Sequence, residues 1–472
     1  MVFSSATFLA VFLPLTLLLY YLVGVVWTKN VTVKNGILLA ASLVFYAWGE
    51  PVYIVLMLLS IGFNFVVGRD MDLARSSGEA GRAKALLIAA LVFDLAVLGF
   101  FKYADFAVEN VNRLLGLSLS LPNLPLPIGI SFYTFQILSY IIDLYNGKTA
   151  VQKNLLSFAL YISLFPQLIA GPIVKYKDIE DQLLGRTETA QGFARGLTRF
   201  VTGLAKKLIL ANTLGSVYSS VQAMAPGDVS ALTAWVGILC YTLQIYFDFS
   251  GYSDMAIGLG RMFGFRLNEN FRYPYIATSV TDFWRRWHIS LSTWFRDYVY
   301  IPLGGNRRKT PRVIFNLLVV WLLTGLWHGA AWNFVLWGVF YGVLLIVEKY
   351  VLGDVLQKVP AALRWALTLF LVMCGWVLFS APDLPGALLY FKAMFGGGAG
   401  WVDPAGQYLL TTNLALLVVG CFCSAPVYQQ LVTRKNAVWI SRAKVVYYPL
   451  LFLLCVIFMV SETYNPFLYF RF

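Results

Sequence analysis

Charged side chains are scarce in this chain of 472 residues. Asp, Glu, Lys and Arg together make up 12% of it, whereas hydrophobic residues make up 59% and the mean hydropathy is +0.71. A soluble protein of this size could not keep so apolar a surface in water. The longest polar segment, residues 265–312, is itself rich in aromatic residues. The sequence therefore excludes a separate soluble domain.

Histidine and cysteine are also rare. The two histidines are His288 and His328, and no G-x-S-x-G sequence marks a hydrolase. All five cysteines fall within apolar runs, which predicts small buried apolar side chains rather than metal ligands. They are Cys240, Cys374, Cys421, Cys423 and Cys455. We expect no metal site.

The sequence contains many long apolar runs. Many of them reach 15 to 20 residues, about the length that crosses 30 Å of hydrocarbon. The candidate spans are approximately residues 6–27, 36–49, 51–68, 85–101, 128–145, 155–170, 208–224, 231–250, 313–327, 331–348, 361–380, 408–424 and 445–461. Because several are short or contain Gly and Pro, we predict an all-α polytopic membrane protein with 11 or 12 transmembrane helices plus re-entrant or interfacial helices. Without a linker or repeat, residues 1–472 are predicted to form one integral-membrane domain.

The basic residues predict how the helices are oriented. The net charge is +13, and on a membrane protein this excess is typical of cytoplasmic loops rather than of nucleic-acid binding. Residues 265–312 carry nine basic side chains, whereas 225–230 carry none. Alternating the spans places residues 265–312 in the cytoplasm and both termini outside it. The same threading places four basic residues near the C-terminus in the cytoplasm: Arg434, Lys435, Arg442 and Lys444.

One candidate span does not fit this alternation. The loops at 146–154 and 171–207 are both basic, so residues 155–170 should not cross the membrane fully. Pro166 also interrupts that segment. We predict a re-entrant hairpin, buried in protein where irregular backbone is tolerated.

His328 lies in a stretch of 35 residues, Val313 to Val347, without a formal charge. A helix from Val313 to Trp327 rises about 22 Å, less than a hydrocarbon core of about 30 Å, so the turn after it is predicted to lie within the membrane. An ionisable group at that depth indicates a functional site; a neutral histidine that bonds a neighbouring helix is the structural alternative. Without a triad, the pattern fits a general base that deprotonates a hydroxyl while another molecule supplies an activated acyl group.

The residues around His328 suggest a confined space. Gly325 and Gly329 would allow another backbone or a substrate to approach closely. Trp327 and Trp332 are candidate walls of a pocket.

The second histidine belongs to a basic and aromatic segment, residues 281–309. Tryptophan and arginine alternate there, at Trp284, Arg285, Arg286, Trp287, Trp294 and Arg296, and "PLGGNRRK" adds Arg307 and Arg308 after a glycine turn. One interpretation is an interfacial amphipathic helix with arginine at lipid headgroups. The other is a docking site for an anionic donor such as the phosphates of a coenzyme A thioester.

Two carboxylates, Asp248 and Asp254, lie in the apolar stretch "QIYFDFSGYSDMAIG". Buried carboxylates need partners, and we expect pairing with the arginines of residues 285–296. This pairing can be purely structural.

Three stretches resemble the membrane-bound O-acyltransferase (MBOAT) family: "FDFSGYSDMAIG", "FWRRWHISLSTWFRDYVYIPLGGNR" and "LTGLWHGAAWNFVLWG". The resemblance is closest to the bacterial alginate O-acetyltransferase branch of that family. It also covers the opening "MVFSS", "FPQLIAGPI" and the ending "NPFLYFRF", and so nearly the whole chain.

The resemblance implies a ring of helices around a central tunnel. It implies that His328 is the family's membrane histidine and that His288, a second histidine of the branch, assists at the cytoplasmic mouth. The donor would be acetyl-CoA, held by the arginines named above with Trp287, and no cofactor would be tightly bound. The partners would be an exported SGNH-type acetyltransferase, polysaccharide machinery and membrane lipids, in a bacterial inner membrane.

Several alternatives stay open. The polysaccharide could be alginate, cellulose, peptidoglycan or another exopolysaccharide. D-alanyl transfer from a carrier protein to teichoic acid is the second enzymatic possibility. A transporter would show paired inverted repeats, which we do not find, and a non-enzymatic scaffold would tolerate replacement of His328.

Overall fold

A computed structural model describes residues 1–427, 430, 438–461 and 467–468. Within these residues all regular secondary structure is helical and no strand occurs. Arg434, Lys435 and residues 469–472, for which the sequence predicts a side of the membrane, lie outside the described residues.

Twenty helices follow one another in the described residues. They are α1 (Phe8–Trp27), α2 (Val31–Gly49), α3 (Tyr53–Ser76), α4 (Ala80–Leu115), α5 (Ile130–Tyr145), α6 (Leu155–Ser163), α7 (Phe165–Leu168), α8 (Tyr176–Leu184), α9 (Ala190–Ala205), α10 (Asn212–Gln222), α11 (Ala231–Met262), α12 (Val280–Arg286), α13 (Ile289–Phe295), α14 (Thr310–His328), α15 (Trp332–Leu352), α16 (Gly353–Lys358), α17 (Ala361–Ser380), α18 (Leu384–Met394), α19 (Pro404–Cys423) and α20 (Val438–Ser461). Short π-helical stretches occur within or next to several of them.

Ten of these helices are long and apolar enough to cross a membrane. They are α1, α2, α3, α4, α11, α14, α15, α17, α19 and the part of α20 from Ala443 to Ser461. Two further predicted spans also form helices, α5 and α10, but these have only 16 and 11 residues. The chain is therefore an all-α, multi-pass membrane protein, as predicted.

The predicted re-entrant segment does not form a spanning helix. Helix α6 has nine residues and ends at Ser163, and after Leu164 the four-residue α7 begins with Pro166 in its first turn. Nine residues rise only about 14 Å, and residues 157–174 are buried throughout. As predicted, residues 155–170 form no helix long enough to span the membrane. The re-entrant path of this segment stays a prediction.

The described chain divides into two compact units. The first consists of residues 1–200 and 252–269, and the second of residues 201–251 and 270–472. The single domain and the central tunnel expected from the sequence stay predictions. Both histidines belong to the second unit.

The first unit contains a group of packed phenylalanine rings from α1, α2, α7 and the residues before α1. Phe3 lies 5.0 Å from Phe8 between ring centroids, Phe8 lies 5.5 Å from Phe12, and Phe45 lies 5.6 Å from Phe165. Tilted and stacked aromatic pairs at such distances add to the stability that burial supplies. The N-terminal "MVF" is thus part of a core.

The cysteines only partly follow the sequence prediction. Cys240 and Cys455 are buried and Cys374 is intermediate, but Cys421 and Cys423 are exposed on α19. The prediction that all five are buried is wrong for these two, because a helix that faces lipid exposes apolar side chains to the bilayer rather than to protein.

Candidate functional site

Helices α14 and α15 form an antiparallel pair that carries His328 at its turn. Helix α14 begins with Pro311 in its first turn, where a missing N–H costs nothing. It ends at His328, because Gly329 adopts extended backbone while its N–H donates to Gly325 O at 3.3 Å. Helix α15 begins at Trp332. The predicted helix, turn and following span are confirmed.

Glycines bring these two helices unusually close. A Cβ at Gly325 would lie 2.3 Å from Phe334 O, and one at Gly338 would lie 2.3 Å from Trp321 O. A Cβ at Gly329 would meet the Phe334 ring at 2.3 Å. The space beside His328 is thus filled by the backbone and side chains of α15.

The His328 ring is enclosed by aromatic rings. It is 5% exposed, and it meets Trp327, Trp337 and Phe379 edge to face with centroids 5.0, 5.0 and 5.2 Å away. Trp337 lies on α15 and Phe379 on α17, so three helices surround the imidazole. Trp332, the other candidate wall, is 53% exposed and is not part of this enclosure.

His288 occupies the junction between the short helices α12 and α13. Its φ of 43° is left-handed, a conformation that is uncommon for a residue with a side chain. The ring is 1% exposed and lies 4.7 Å from Phe249. The expectation that His288 assists at the cytoplasmic mouth stays a prediction.

Burial sets the protonation state of His288. Because the charged form loses hydration, burial lowers the pKa of His288 to about 3. The imidazole is therefore neutral near pH 7. Its Nδ1 lies 3.1 Å from the side-chain oxygen of Asn270.

Trp327 joins the two histidines. Its ring centroid lies 5.8 Å from that of His288 and 5.0 Å from that of His328, and its side chain is 4% exposed. One buried side chain thus contacts both candidate catalytic residues. The structure brings the two histidines into the same aromatic cluster.

The cluster extends from Trp287 to Phe271, Trp376 and Phe379, three residues that sequence reasoning missed. Trp287 contacts Phe271 and Trp376 at 5.1 and 4.9 Å, and Trp376 contacts Phe379 at 5.6 Å. Trp376 and Phe379 lie about 90 residues from Trp287 along the chain, so no local pattern marks them. Because Trp287 is 3% exposed, it can only contact a part of a donor that enters this cluster.

The basic and aromatic segment is not one amphipathic helix. It forms α12, α13 and a π-helical turn, and its three tryptophans are buried at 8%, 3% and 6% exposure: Trp284, Trp287 and Trp294. The arginines point the other way, with Arg285 and Arg296 exposed. Arg286 pairs with Asp282 at 2.8 Å and Arg296 with Asp297 at 2.8 Å.

Arg307 and Arg308 follow a glycine turn. Gly304 and Gly305 have φ of 109° and 52°, conformations that glycine adopts without strain. Arg307 and Arg308 are exposed, and a Cβ at Gly304 would lie 2.6 Å from Arg308 Cγ. Buried Asn316 donates to Leu303 O and Gly305 O at 3.3 and 3.4 Å, which fastens this turn to α14.

The buried carboxylates have other partners than the sequence suggests. Asp248 accepts a hydrogen bond from Lys207 at 2.6 Å, and both side chains are almost fully buried. Asp254 pairs with Arg199 at 2.8 Å, and Arg199 also pairs with Glu269. The predicted pairing with residues 285–296 is wrong, because these arginines face outward.

The described residues contain no group of three or more His, Cys, Asp or Glu side chains that could hold a metal ion. The chemistry of the cluster is that of two buried imidazoles among aromatic rings. A neutral imidazole in such surroundings can accept a proton from a hydroxyl or donate a hydrogen bond to a carbonyl.

Comparison with known proteins identifies a family and several relatives. The membrane-bound O-acyltransferase (MBOAT) family matches residues 146–384, which include both histidines. The protein named "Probable alginate O-acetylase AlgI" of Pseudomonas aeruginosa is 45% identical over 449 residues, covering 92% of this chain and 84% of that one.

Two other relatives are more distant. The "Peptidoglycan O-acetyltransferase" of Helicobacter pylori is 35% identical, over 84% of this chain and 80% of its own. The "Teichoic acid D-alanyltransferase" of Streptococcus thermophilus is 30% identical, over 47% of this chain and 56% of its own. With a match over half its length and relatives this similar, the chain is an O-acyltransferase that belongs to the membrane-bound O-acyltransferase family.

Proposed function

We propose that this enzyme transfers acetyl groups from cytoplasmic acetyl-CoA toward a polysaccharide outside the membrane, and that the polysaccharide is alginate. The main structural support for this proposal is that buried Trp327 contacts both His288 and His328. The 45% identity to the protein named an alginate O-acetylase supports acetyl as the group and alginate as the final acceptor.

His328 is the general base in this proposal. Its imidazole takes the proton of an acceptor hydroxyl while the hydroxyl oxygen attacks the thioester carbonyl of acetyl-CoA. The carbon–sulfur bond then breaks, the new ester remains on the acceptor, and coenzyme A leaves as a thiol with the proton that the imidazole returns. His288 assists this transfer at the cytoplasmic mouth as a second neutral imidazole.

The donor side is proposed to be the exposed basic surface of residues 281–309. Arg285, Arg296, Arg307 and Arg308 present guanidinium groups to solvent, and such groups bind phosphates strongly. Arg286 already bonds Asp282, and Arg296 already bonds Asp297. Each of these two arginines would act on the donor only by exchanging its partner. Buried Trp287 would contact the acyl end.

The location and partners follow the same proposal. The membrane is the bacterial inner membrane, residues 265–312 face the cytoplasm and both termini lie outside. The first acceptor is a hydroxyl of an exported SGNH-type acetyltransferase or of the glycan itself. No cofactor is tightly bound, and membrane lipids surround the protein.

The other functions are less well supported. The teichoic acid D-alanyltransferase relative aligns with only 47% of this chain, so D-alanyl transfer is not favoured. Membership of an enzyme family disfavours a transporter or a scaffold. Peptidoglycan is the second candidate acceptor, because its O-acetyltransferase relative aligns over 84% of the chain.

Complementation tests the proposal. The gene is expressed in an alginate-producing bacterium whose own alginate O-acetylase is deleted, and ester-linked acetyl is measured on purified alginate. We expect restored acetylation. Alginate without acetyl groups, from cells in which the protein is present in the membrane, would contradict the proposed acceptor, and peptidoglycan from the same cells serves as the comparison.

A further inference from the structure

The side-chain oxygen of Asn270 gathers three hydrogen-bond donors at one point. Asn270 is 1% exposed, and its Oδ1 lies 3.1 Å from His288 Nδ1, 2.9 Å from Ser290 Oγ and 3.2 Å from Ser290 N. Its backbone carbonyl also accepts from Ile289 N at 3.0 Å. One residue therefore holds both the ring of His288 and the first turn of α13.

These contacts identify which amide atom faces the histidine. The backbone N–H of Ser290 can only donate, so the atom that it approaches must be the amide oxygen of Asn270 and not the nitrogen. An amide oxygen can only accept, so His288 Nδ1 must carry a hydrogen. In a neutral imidazole, a hydrogen on Nδ1 leaves the lone pair on Nε2.

The backbone conformation of His288 also indicates that contacts with Asn270 hold this residue in place. A φ of 43° is unfavourable for a residue with a side chain, and such conformations persist where surrounding contacts determine them. Here the bonds from Ile289 N and Ser290 N to Asn270 supply those contacts. The ring is thereby held between Phe249 at 4.7 Å and Trp327 at 5.8 Å.

We propose that Asn270 is a positioning residue for acyl transfer, which holds His288 in the tautomer protonated on Nδ1 so that Nε2 presents its lone pair. The functional half of this inference rests on the proposed function, since it needs His288 to take part in the transfer. The tautomer does not depend on that function. A purely structural Asn270 would affect folding without affecting turnover.

Substitutions separate these roles. Asn270→Leu removes the acceptor at similar size, whereas Asn270→Asp keeps an oxygen that accepts from Nδ1. At equal membrane levels we expect Asn270→Leu to lower kcat about 10²-fold or more, as other losses of a tautomer-fixing group do, with little change in KM for acetyl-CoA. Asn270→Asp should retain more activity than Asn270→Leu because its oxygen still accepts from Nδ1. The matched control Ser290→Ala should also lose less than Asn270→Leu, because it leaves the Asn270–His288 bond intact.

The tautomer can be observed directly because the chain has two histidines. In a His328→Gln chain His288 is the remaining histidine, so ¹⁵N labelling of histidine in the full-length protein in detergent gives its two ring signals alone. At pH 7 we expect a protonated Nδ1 and an unprotonated Nε2. A protonated Nε2, or an Asn270→Leu enzyme with wild-type kcat, would overturn the inference. If alginate is not acetylated by the wild type while the spectrum is as expected, the proposed function fails and the assigned tautomer stands.

Discussion

The ring of Trp327 lies edge to face against His288 with centroids 5.8 Å apart, and the same ring contacts His328 at 5.0 Å. The two histidines lie 40 residues apart in sequence, in elements of different kind, yet share this one neighbour. Trp327 thus sets the position of each imidazole relative to the other, and its size decides how both are packed.

Replacing Trp327 should therefore disturb catalysis. We expect Trp327→Ala to lower the acetylation rate about 10²-fold, because small displacements of reacting groups have effects of that size, and Trp327→Phe to lower it less. The matched control is Trp332→Ala in the same turn, since Trp332 is 53% exposed. Rates are measured with the purified proteins at equal folded amounts; equal losses for Trp327→Ala and Trp332→Ala would contradict the role assigned to Trp327.

The close approach of α14 and α15 gives a prediction about stability. Gly325→Ala places a methyl group 2.3 Å from Phe334 O, a backbone atom that cannot move without shifting α15. We expect a loss of folded protein at the membrane, with a cost of at least about 1–3 kcal/mol from overpacking.

Gly99→Ala is the control, because nothing lies within 4 Å of a Cβ at Gly99 in α4. Thermal unfolding in detergent compares the two variants. A Gly325→Ala protein as stable as Gly99→Ala would show that the helices can separate without cost.

The exposed basic turn leads to a prediction about the donor. Replacing Arg307, Arg308 and Lys309 together with Ala should raise KM for acetyl-CoA about tenfold or more, as the loss of a charge-assisted contact does. The control neutralises Lys29, Arg82 and Lys84, three exposed basic residues elsewhere in the chain. If KM is the same in both triple variants, the basic residues at 307–309 do not bind the donor and serve only to orient the chain in the membrane.

Burial of His288 makes stability depend on pH. The folded pKa of about 3 lies below the ordinary value of 6.5, so the unfolded chain binds more protons between these values and stability falls as pH is lowered from 6.5 toward 3. The slope from this residue is about 1.4 kcal/mol per pH unit. Between pH 7 and pH 5, His288→Gln should lose about 2 kcal/mol less than the wild type, measured by denaturant unfolding in detergent. An equal loss in both proteins would show that His288 is not buried in its neutral form.

The sequence alone singles out both histidines as candidate functional residues, because the chain has so few of them. His328 stands alone in a stretch without formal charge, and the turn at Gly329 follows from helix lengths. The glycines Gly325 and Gly329 likewise predict the close approach of another backbone or a substrate. These features are local, so composition and periodicity reveal them.

Contacts between distant segments could not be predicted in the same way. Asn270 approaches His288 from 18 residues away, and Trp376 joins the cluster from α17. The partners of Asp248 and Asp254 were predicted wrongly. Their partners, Lys207 and Arg199, lie on α9 and its π-helical extension. Distance along the sequence did not favour these two residues over the arginines of 285–296. Which side chain completes a buried pair depends on helix packing that no single segment encodes.

His328 is the most direct test of the whole account. His328→Ala and His328→Gln are compared for acetylation of alginate in the complemented strain, with membrane levels measured for each. Gln keeps size and hydrogen bonding but cannot take a proton near pH 7, and loss of a general base lowers rates about 10²–10⁴-fold. The account predicts that both variants reach the membrane at wild-type levels and both fail to acetylate; near-normal acetylation by His328→Gln would contradict it and make His328 a hydrogen-bonded structural residue.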